Sequence, residues 1–251
     1  MLCCMIFTPF ESGLEYTLIM RPKFYLEKIR LEKLHSYPFK HLIFSDFLNS
    51  ADLTEIHSDV QKLELSPESN DFKSDYGTKK EWREFSPSLP KLHEWIEFLH
   101  STEFIGALQR KFQLPENFTI SPDKSFDGGG YVISPPNSFL GYHADFNFSS
   151  IAEKYRILNV LFYFNSSYSI NQGGVLHLLD PTSKTVEKFL EPRMNTMLVF
   201  LTDDVSFHGV SRNSLDFYRR SFNLYYYASE PLSDNQSRVP HKTIWVEPTI
   251  H

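Results

Sequence analysis

The 251 residues carry a net charge of −6 with 41% hydrophobic and 16% aromatic side chains, the composition of a folding chain with room for one large domain or two small ones. The acidic balance, with a pI near 5.9, gives no support to a nucleic-acid-binding surface. Two adjacent cysteines, Cys3 and Cys4, exclude a disulfide scaffold and favour a reducing, cytoplasmic setting.

Residues 1–35 read as an N-terminal arm or extension, with a mixed amphipathic stretch over 21–35. Glu11 and Glu15 interrupt the early apolar run, so neither a signal peptide nor a membrane span is expected there. PFKHLIFSDFLN at 38–49 reads as a strand turning into a helix, with Asn49 or Ser50 as cap. The polar stretch 60–80 reads as a surface excursion. Over 89–114, Leu92, Trp95, Ile96 and Leu99 repeat at helical spacing. Ser101-Thr102-Glu103 interrupts them, and Phe104, Leu108 and Phe112 continue as a second helix. These side chains are core, packed on the back of a sheet.

The second half changes character. A strand near 131–142 is followed by YRILNVLFYFN, GGVLHLL, TVEKFL, NTMLVFL and RRSFNLYYYA, short strand-like runs separated by turn residues. The expectation is mainly β with supporting helices (α+β), an antiparallel sandwich or jelly roll carrying N-terminal helices on its sheet. One domain is expected over 36–230, with helical support at 50–115 and the β core at 128–228. The tail 231–251 follows, with TIWVEP as a candidate edge strand.

His143 and Asp145 stand at i and i+2, which on a strand face the same way. His208 follows 65 residues later, after a hydrophobic run. Two imidazoles and one carboxylate leave open positions on an octahedral ion, the donor set of non-haem ferrous sites. HxD pairs are common, and a turn histidine and a loop-capping aspartate are the competing readings. In RRSFNLYYYA, Arg219, Ser221, Asn223 and Tyr225 share one strand face, and Arg220, Phe222, Leu224 and Tyr226 the other. An inward arginine needs a carboxylate partner, either that of a dicarboxylate co-substrate, with Ser221 assisting, or an internal Glu or Asp; the competing reading is a solvent-facing arginine. Tyr163 shares a face with Asn159 and Leu161, and is either a donor to the same carboxylate or an aromatic core residue. Gly173-Gly174 permit a tight turn or close backbone approach. His177 reads as exposed and non-ligating, and Asp203 and Asp204 as turn residues.

The ordered series SPDKSFDGGG, SFLGYHADFN, RILNVLFYFN, GGVLHL, FLTDDVSFHGV and RRSFNLYYY resembles the iron- and 2-oxoglutarate-dependent dioxygenases, in their prolyl 4-hydroxylase-like branch. The resemblance runs from residue 38 to 228. It implies a double-stranded β-helix (jelly-roll, cupin-like) core. It further implies an iron triad of His143, Asp145 and His208, with Arg219 holding the far carboxylate of 2-oxoglutarate and Tyr163 and Ser221 beside it. A register error of one would exchange Arg219 for Arg220. Leu140 falls at a pocket-lining position, and Val132 stands where close relatives often carry a polar residue. The implied chemistry is oxygen-dependent hydroxylation of an aliphatic C–H with decarboxylation of 2-oxoglutarate to succinate, ascorbate serving as reductant and no further acid–base side chain demanded. The implied substrate is a prolyl residue of a protein or peptide. The alternatives are an oxygenase acting on a free amino acid or other small metabolite, a cupin-like metal protein that is not an oxygenase, and an inactive interaction module. No nucleic-acid or membrane partner is expected.

Overall fold

A computed structural model describes residues 22–75, 77–232 and 235–249. The two cysteines and the first twenty-one residues of the expected arm lie outside this range. Four helices come first in function, as a support layer: α1 (Pro22–Leu31), α2 (Ser50–Glu64), α3 (Pro90–His100) and α4 (Thr102–Phe112). Local chemistry sets their ends. The Asn49 side chain accepts the Asp52 amide to open α2. Ser101 ends α3 in an extended conformation, and its hydroxyl oxygen accepts the Phe104 amide to start α4.

The strands before the core are β1 (His41–Phe44), β2 (Asn70–Ser74), β3 (Gly77–Trp82) and β4 (Ile120–Pro122). Then come β5 (Gly130–Ser134), β6 (Leu140–Ala144), β7 (Phe148–Ser149), β8 (Lys154–Tyr163) and β9 (Leu176–Leu179). β10 (Val186–Leu190), β11 (Met197–Leu201), β12 (His208–Val210), β13 (Arg219–Ala228) and β14 (Ile244–Trp245) complete the set. Pairing is antiparallel. One run orders β1-β11-β8-β13-β5-β3 and the other β6-β12-β9-β10, joined where Gly77 of β3 pairs Leu140 of β6. The sheet thus curls into the expected jelly roll, with the helices on the outside of the larger run.

Strand alternation divides the core. On β8, Val160 and Phe162 face the helices, as do Phe222, Leu224 and Tyr226 on β13. Trp95 of α3 is their main partner, its ring centroid 5.1 Å from Phe162 and 5.0 Å from Phe222. The opposite faces of the same strands send Leu161 and Tyr163 inward, against Leu176, Leu178, Leu198 and Phe200.

Two stretches differ in detail from the sequence reading, and a third, in the tail, forms the strand expected of it. Part of 60–80 is ordered as the end of α2 and the hairpin β2–β3. Every residue of β2 is exposed, which is why no apolar alternation marks it. Residues 22–31 form a helix whose Tyr25 and Ile29 are fully buried in the core. TIWVEP supplies β14, paired with β6. Among the described residues, no helix is long and apolar enough to cross a membrane.

Candidate metal and co-substrate site

β6 delivers His143 at its end and Asp145 just beyond it. β12 pairs antiparallel with β6 and sets His208 directly opposite His143. The imidazole centroids are 4.4 Å apart. Asp145 Oδ1 lies 3.4 Å from His143 Nε2, and Oδ2 lies 3.7 Å from His208 Nε2. One ligand atom from each of the three falls within 4.8 Å of the others, the only such His/Cys/Asp/Glu group among the described residues.

Both histidines are oriented from behind. His143 Nδ1 sits 2.8 Å from the Gly141 carbonyl and His208 Nδ1 3.0 Å from the Ser206 carbonyl. Nδ1–H therefore donates to backbone and the Nε2 lone pairs turn toward Asp145, the tautomer a metal requires. Burial, reinforced by the neighbouring His143, pushes the His208 imidazolium down to about 4, so the ring is neutral near pH 7. Burial alone would raise the Asp145 carboxyl. Arg156, His208 and His143 overcome it and hold the group well below the usual carboxylate range.

Arg156 and Asn159 were not among the expected site residues. Arg156 is buried, with a terminal nitrogen 3.2 Å from Asp145 Oδ2, and its Nε donates to Asn159 Oδ1 at 2.8 Å. Asn159 Nδ2 in turn donates to Asp145 Oδ2 at 2.8 Å. Oδ2 is thus engaged by protein donors and Oδ1 is left facing His143, an arrangement suited to one-oxygen ligation. The Arg156 guanidinium carbon lies over Tyr225, 3.5 Å from the ring centroid. Strict alternation along β8 would turn Arg156 toward the helices with Val160. An irregularity breaks that phase: Tyr226 pairs Leu158, but Tyr227 pairs Arg156. No local signal in the sequence marks this shift.

Arg219 occupies the inner face of β13 and is 5% exposed. Its Nε donates to the Gly174 carbonyl at 2.9 Å and Nη2 donates to the Tyr163 hydroxyl at 3.0 Å. Nη1 stands 3.5 Å from Ser221 Oγ. Among the described residues no carboxylate comes within ion-pair distance of it. Arg220 points the other way and pairs with Glu64 at 2.8 Å. The pair of glycines fits this packing. Gly174 has φ +67°, and a Cβ there would come within 3.2 Å of Arg219 Cδ and 2.7 Å of Asn213 Oδ1. Burial raises the Tyr163 phenol while Arg219 opposes the shift, so the hydroxyl keeps its proton and can donate it.

Leu140 and Val132 line a cavity of about 400 Å³ that also exposes His143, Asp145 and Arg219. Of the other polar residues, Asp203 and Asp204 occupy the turn read for them and His177 differs from its reading. Asp203 and Asp204 form the turn before His208, where Asp204 accepts from Ser237 of the tail. His177 is half-buried instead of exposed, its Nδ1 2.8 Å from the Tyr142 hydroxyl.

The donor set and the unneutralised buried arginine suit a divalent ion together with a dicarboxylate. Comparison with known proteins agrees. Residues 129–227 match the model of the 2OG-Fe(II) oxygenase superfamily. No curated protein sequence matches the chain. Among solved structures, a prolyl-4-hydroxylase of Pseudomonas putida is similar at 15% identity, covering 82% of this chain and 98% of its own, with a TM-score of 0.58. A prolyl hydroxylase of Trichoplax adhaerens, solved with a hypoxia-inducible-factor oxygen-degradation-domain peptide, shares 16% identity over 82% of this chain and 88% of its own, TM-score 0.57. A 2OG-Fe(II) oxygenase-family oxidoreductase of Burkholderia pseudomallei shares 14% over 87% and 95%, TM-score 0.52. At these identities the structural likeness concerns the fold.

Proposed function

We propose that this chain is a 2OG-Fe(II) dioxygenase, as the match of residues 129–227 to that superfamily's model supports, and that it hydroxylates an aliphatic C–H, its substrate a prolyl residue of a protein or peptide. His143, Asp145 and His208 would hold Fe(II), and Arg219, Tyr163 and Ser221 the distal carboxylate of 2-oxoglutarate, with Leu140 on the pocket wall. The bound metal and 2-oxoglutarate would together activate O2, one oxygen atom going into succinate as 2-oxoglutarate loses carbon dioxide and the other into the substrate hydroxyl. The chain's own contribution is placement. Backbone carbonyls fix the two imidazoles, Arg156 and Asn159 fix the carboxylate, and β13 holds Arg219 on the same inner surface. Apolar side chains around the cavity limit water.

The observation that carries the reading is Arg219, a buried guanidinium with no carboxylate partner among the described residues, facing the same cavity as His143 and Asp145. A buried cation of this kind is costly unless an anion joins it. A cupin-like metal protein has no need of it. The prolyl preference is supported by the shared fold and by the aromatic rings Phe72, Phe139, Phe146, Tyr225 and Trp245 around the cavity, surfaces of the kind on which proline rings pack. The adjacent cysteines support a cytoplasmic setting.

The test is succinate production by anaerobically loaded Fe(II) protein exposed to oxygen and 2-oxoglutarate, with and without proline-containing peptides. Metal-dependent succinate that rises with peptide is expected. No succinate under any condition, together with no binding of 2-oxoglutarate, would overturn the enzyme reading. Stimulation by free amino acids alone would move the substrate to the small-molecule class.

A further inference from the structure

Residues 243–245 are built into the site's mouth. β14 pairs with β6 in a register that sets Trp245 opposite His143 and Ile244 opposite Ala144. The indole centroid lies 5.0 Å from the His143 ring. Thr243 and Trp245 line the same cavity as His143, Asp145 and Arg219.

This segment is anchored along its length. Buried Gln236 donates to the Arg156 carbonyl at 2.6 Å. Asn147 donates to the carbonyls of Ser237 and Val239 and accepts the His241 amide. His241 Nε2 lies 2.9 Å from Asp204 Oδ1, and the Val246 amide donates to the Tyr142 carbonyl at 2.9 Å. The anchors engage the strands and turns that carry the triad, so the position of Trp245 is tied to the position of the metal ligands.

Trp245 also borders two further cavities. One, of about 620 Å³, adjoins the central cavity through Phe146 and Thr243 and continues past His241 and Lys242. The other, of about 640 Å³, adjoins it through Phe139 and Leu140 and continues past Arg212 and Glu247. Trp245 thus borders all three cavities, and each outer cavity shares further lining residues with the central one. A small metabolite ends within a pocket. A central cavity that shares its lining with two neighbours suits a chain that presents one residue at the centre and lays its flanking residues along them. The rings along these cavities favour proline-bearing extended backbone, whose flat apolar rings stack on aromatic side chains without further loss of conformational freedom.

We infer that β14 is part of the substrate site, with Trp245 forming the wall against which an extended, proline-bearing polypeptide lies as it crosses the metal-binding triad. The inference rests on the prolyl hydroxylase reading above and adds the residue that selects the substrate.

The test uses the full chain loaded with Ni(II) and 2-oxoglutarate. It is titrated by calorimetry with a poly-L-proline decamer and with a peptide pool in which every member has a central proline. Wild-type protein is expected to bind at least one probe, and Trp245→Ala to bind it at least about tenfold more weakly, as for truncation of an aromatic anchor. Trp245→Phe, which keeps a ring, should recover affinity to within about threefold of wild type. Ni(II) and 2-oxoglutarate affinities, measured on the same samples, report whether each variant still builds the site. Equal peptide binding by wild type and Trp245→Ala would overturn the role of Trp245 while leaving the prolyl reading standing. Equal weakening in the Ala and Phe variants would also overturn it. No peptide binding by wild-type protein would overturn the prolyl reading, and this inference with it.

Discussion

The two faces of the β8–β13 pair have opposite chemistry. The helix-facing side carries Val160, Phe162, Phe222, Leu224 and Tyr226, closed by Trp95. The inner side carries apolar Leu161 too, but adds Arg156, Asn159, Tyr163, Arg219 and Ser221, all buried and all polar or ionisable. One face stabilises the fold by removing apolar surface from water. The other holds buried polar groups at a cost to stability that only bonded partners offset. The neighbours Arg219 and Arg220 show the difference most sharply. Arg220 has its carboxylate in Glu64, and Arg219 has neutral oxygens only.

Substitutions should separate the two faces. Trp95→Ala is expected to have the largest effect, a loss of about 3–5 kcal/mol in unfolding free energy by urea denaturation. A loss under about 1 kcal/mol would show that the helix layer is not the stabilising face. Arg219→Ala should weaken 2-oxoglutarate binding by about 2–3 kcal/mol, the range for a charge-assisted bond to a carboxylate. Without ligand its unfolding free energy should stay the same or rise, because a buried charge without a counter-ion is removed. Destabilisation of the ligand-free protein by several kcal/mol would instead make Arg219 a structural residue.

Much of this division was legible in the sequence because it follows period two. The alternation in RILNVLFYFN and RRSFNLYYY separates Phe162 from Tyr163 and Arg219 from Arg220, and the i, i+2 spacing places His143 and Asp145 together. What was not legible lies where period two fails or never applied. The irregularity on β8 turns Arg156 inward against its expected phase. The β2 strand has no buried face to write a pattern. The tail is held by side chains bonding to backbone, as Asn147 and Gln236 do, and such bonds leave no periodic trace. Asn159 was assigned its face but not its partner, since Asp145 meets it only after the chain has curled.

Smaller effects sharpen the comparison within the inner face. Asn159→Ala removes one donor to Asp145 and should lower Co(II) affinity by about tenfold to a hundredfold in a competition titration, the usual size for a partner behind a metal ligand. Unchanged affinity would mean that Arg156 alone positions the carboxylate. Ser221→Ala should cost about 0.5–1.5 kcal/mol in 2-oxoglutarate binding, a single neutral hydrogen bond. No measurable change would leave Ser221 with packing alone, in keeping with its long 3.5 Å approach to Arg219.

The most direct measurement is calorimetric titration of Ni(II)-loaded wild-type, Arg219→Ala and Arg220→Ala proteins with 2-oxoglutarate. Binding should be present in wild type, nearly intact in Arg220→Ala and lost or weakened by at least about thirtyfold in Arg219→Ala. Loss in Arg220→Ala with retention in Arg219→Ala, or no binding by the wild-type protein, would contradict the assignment of the inner face as a metal and co-substrate site.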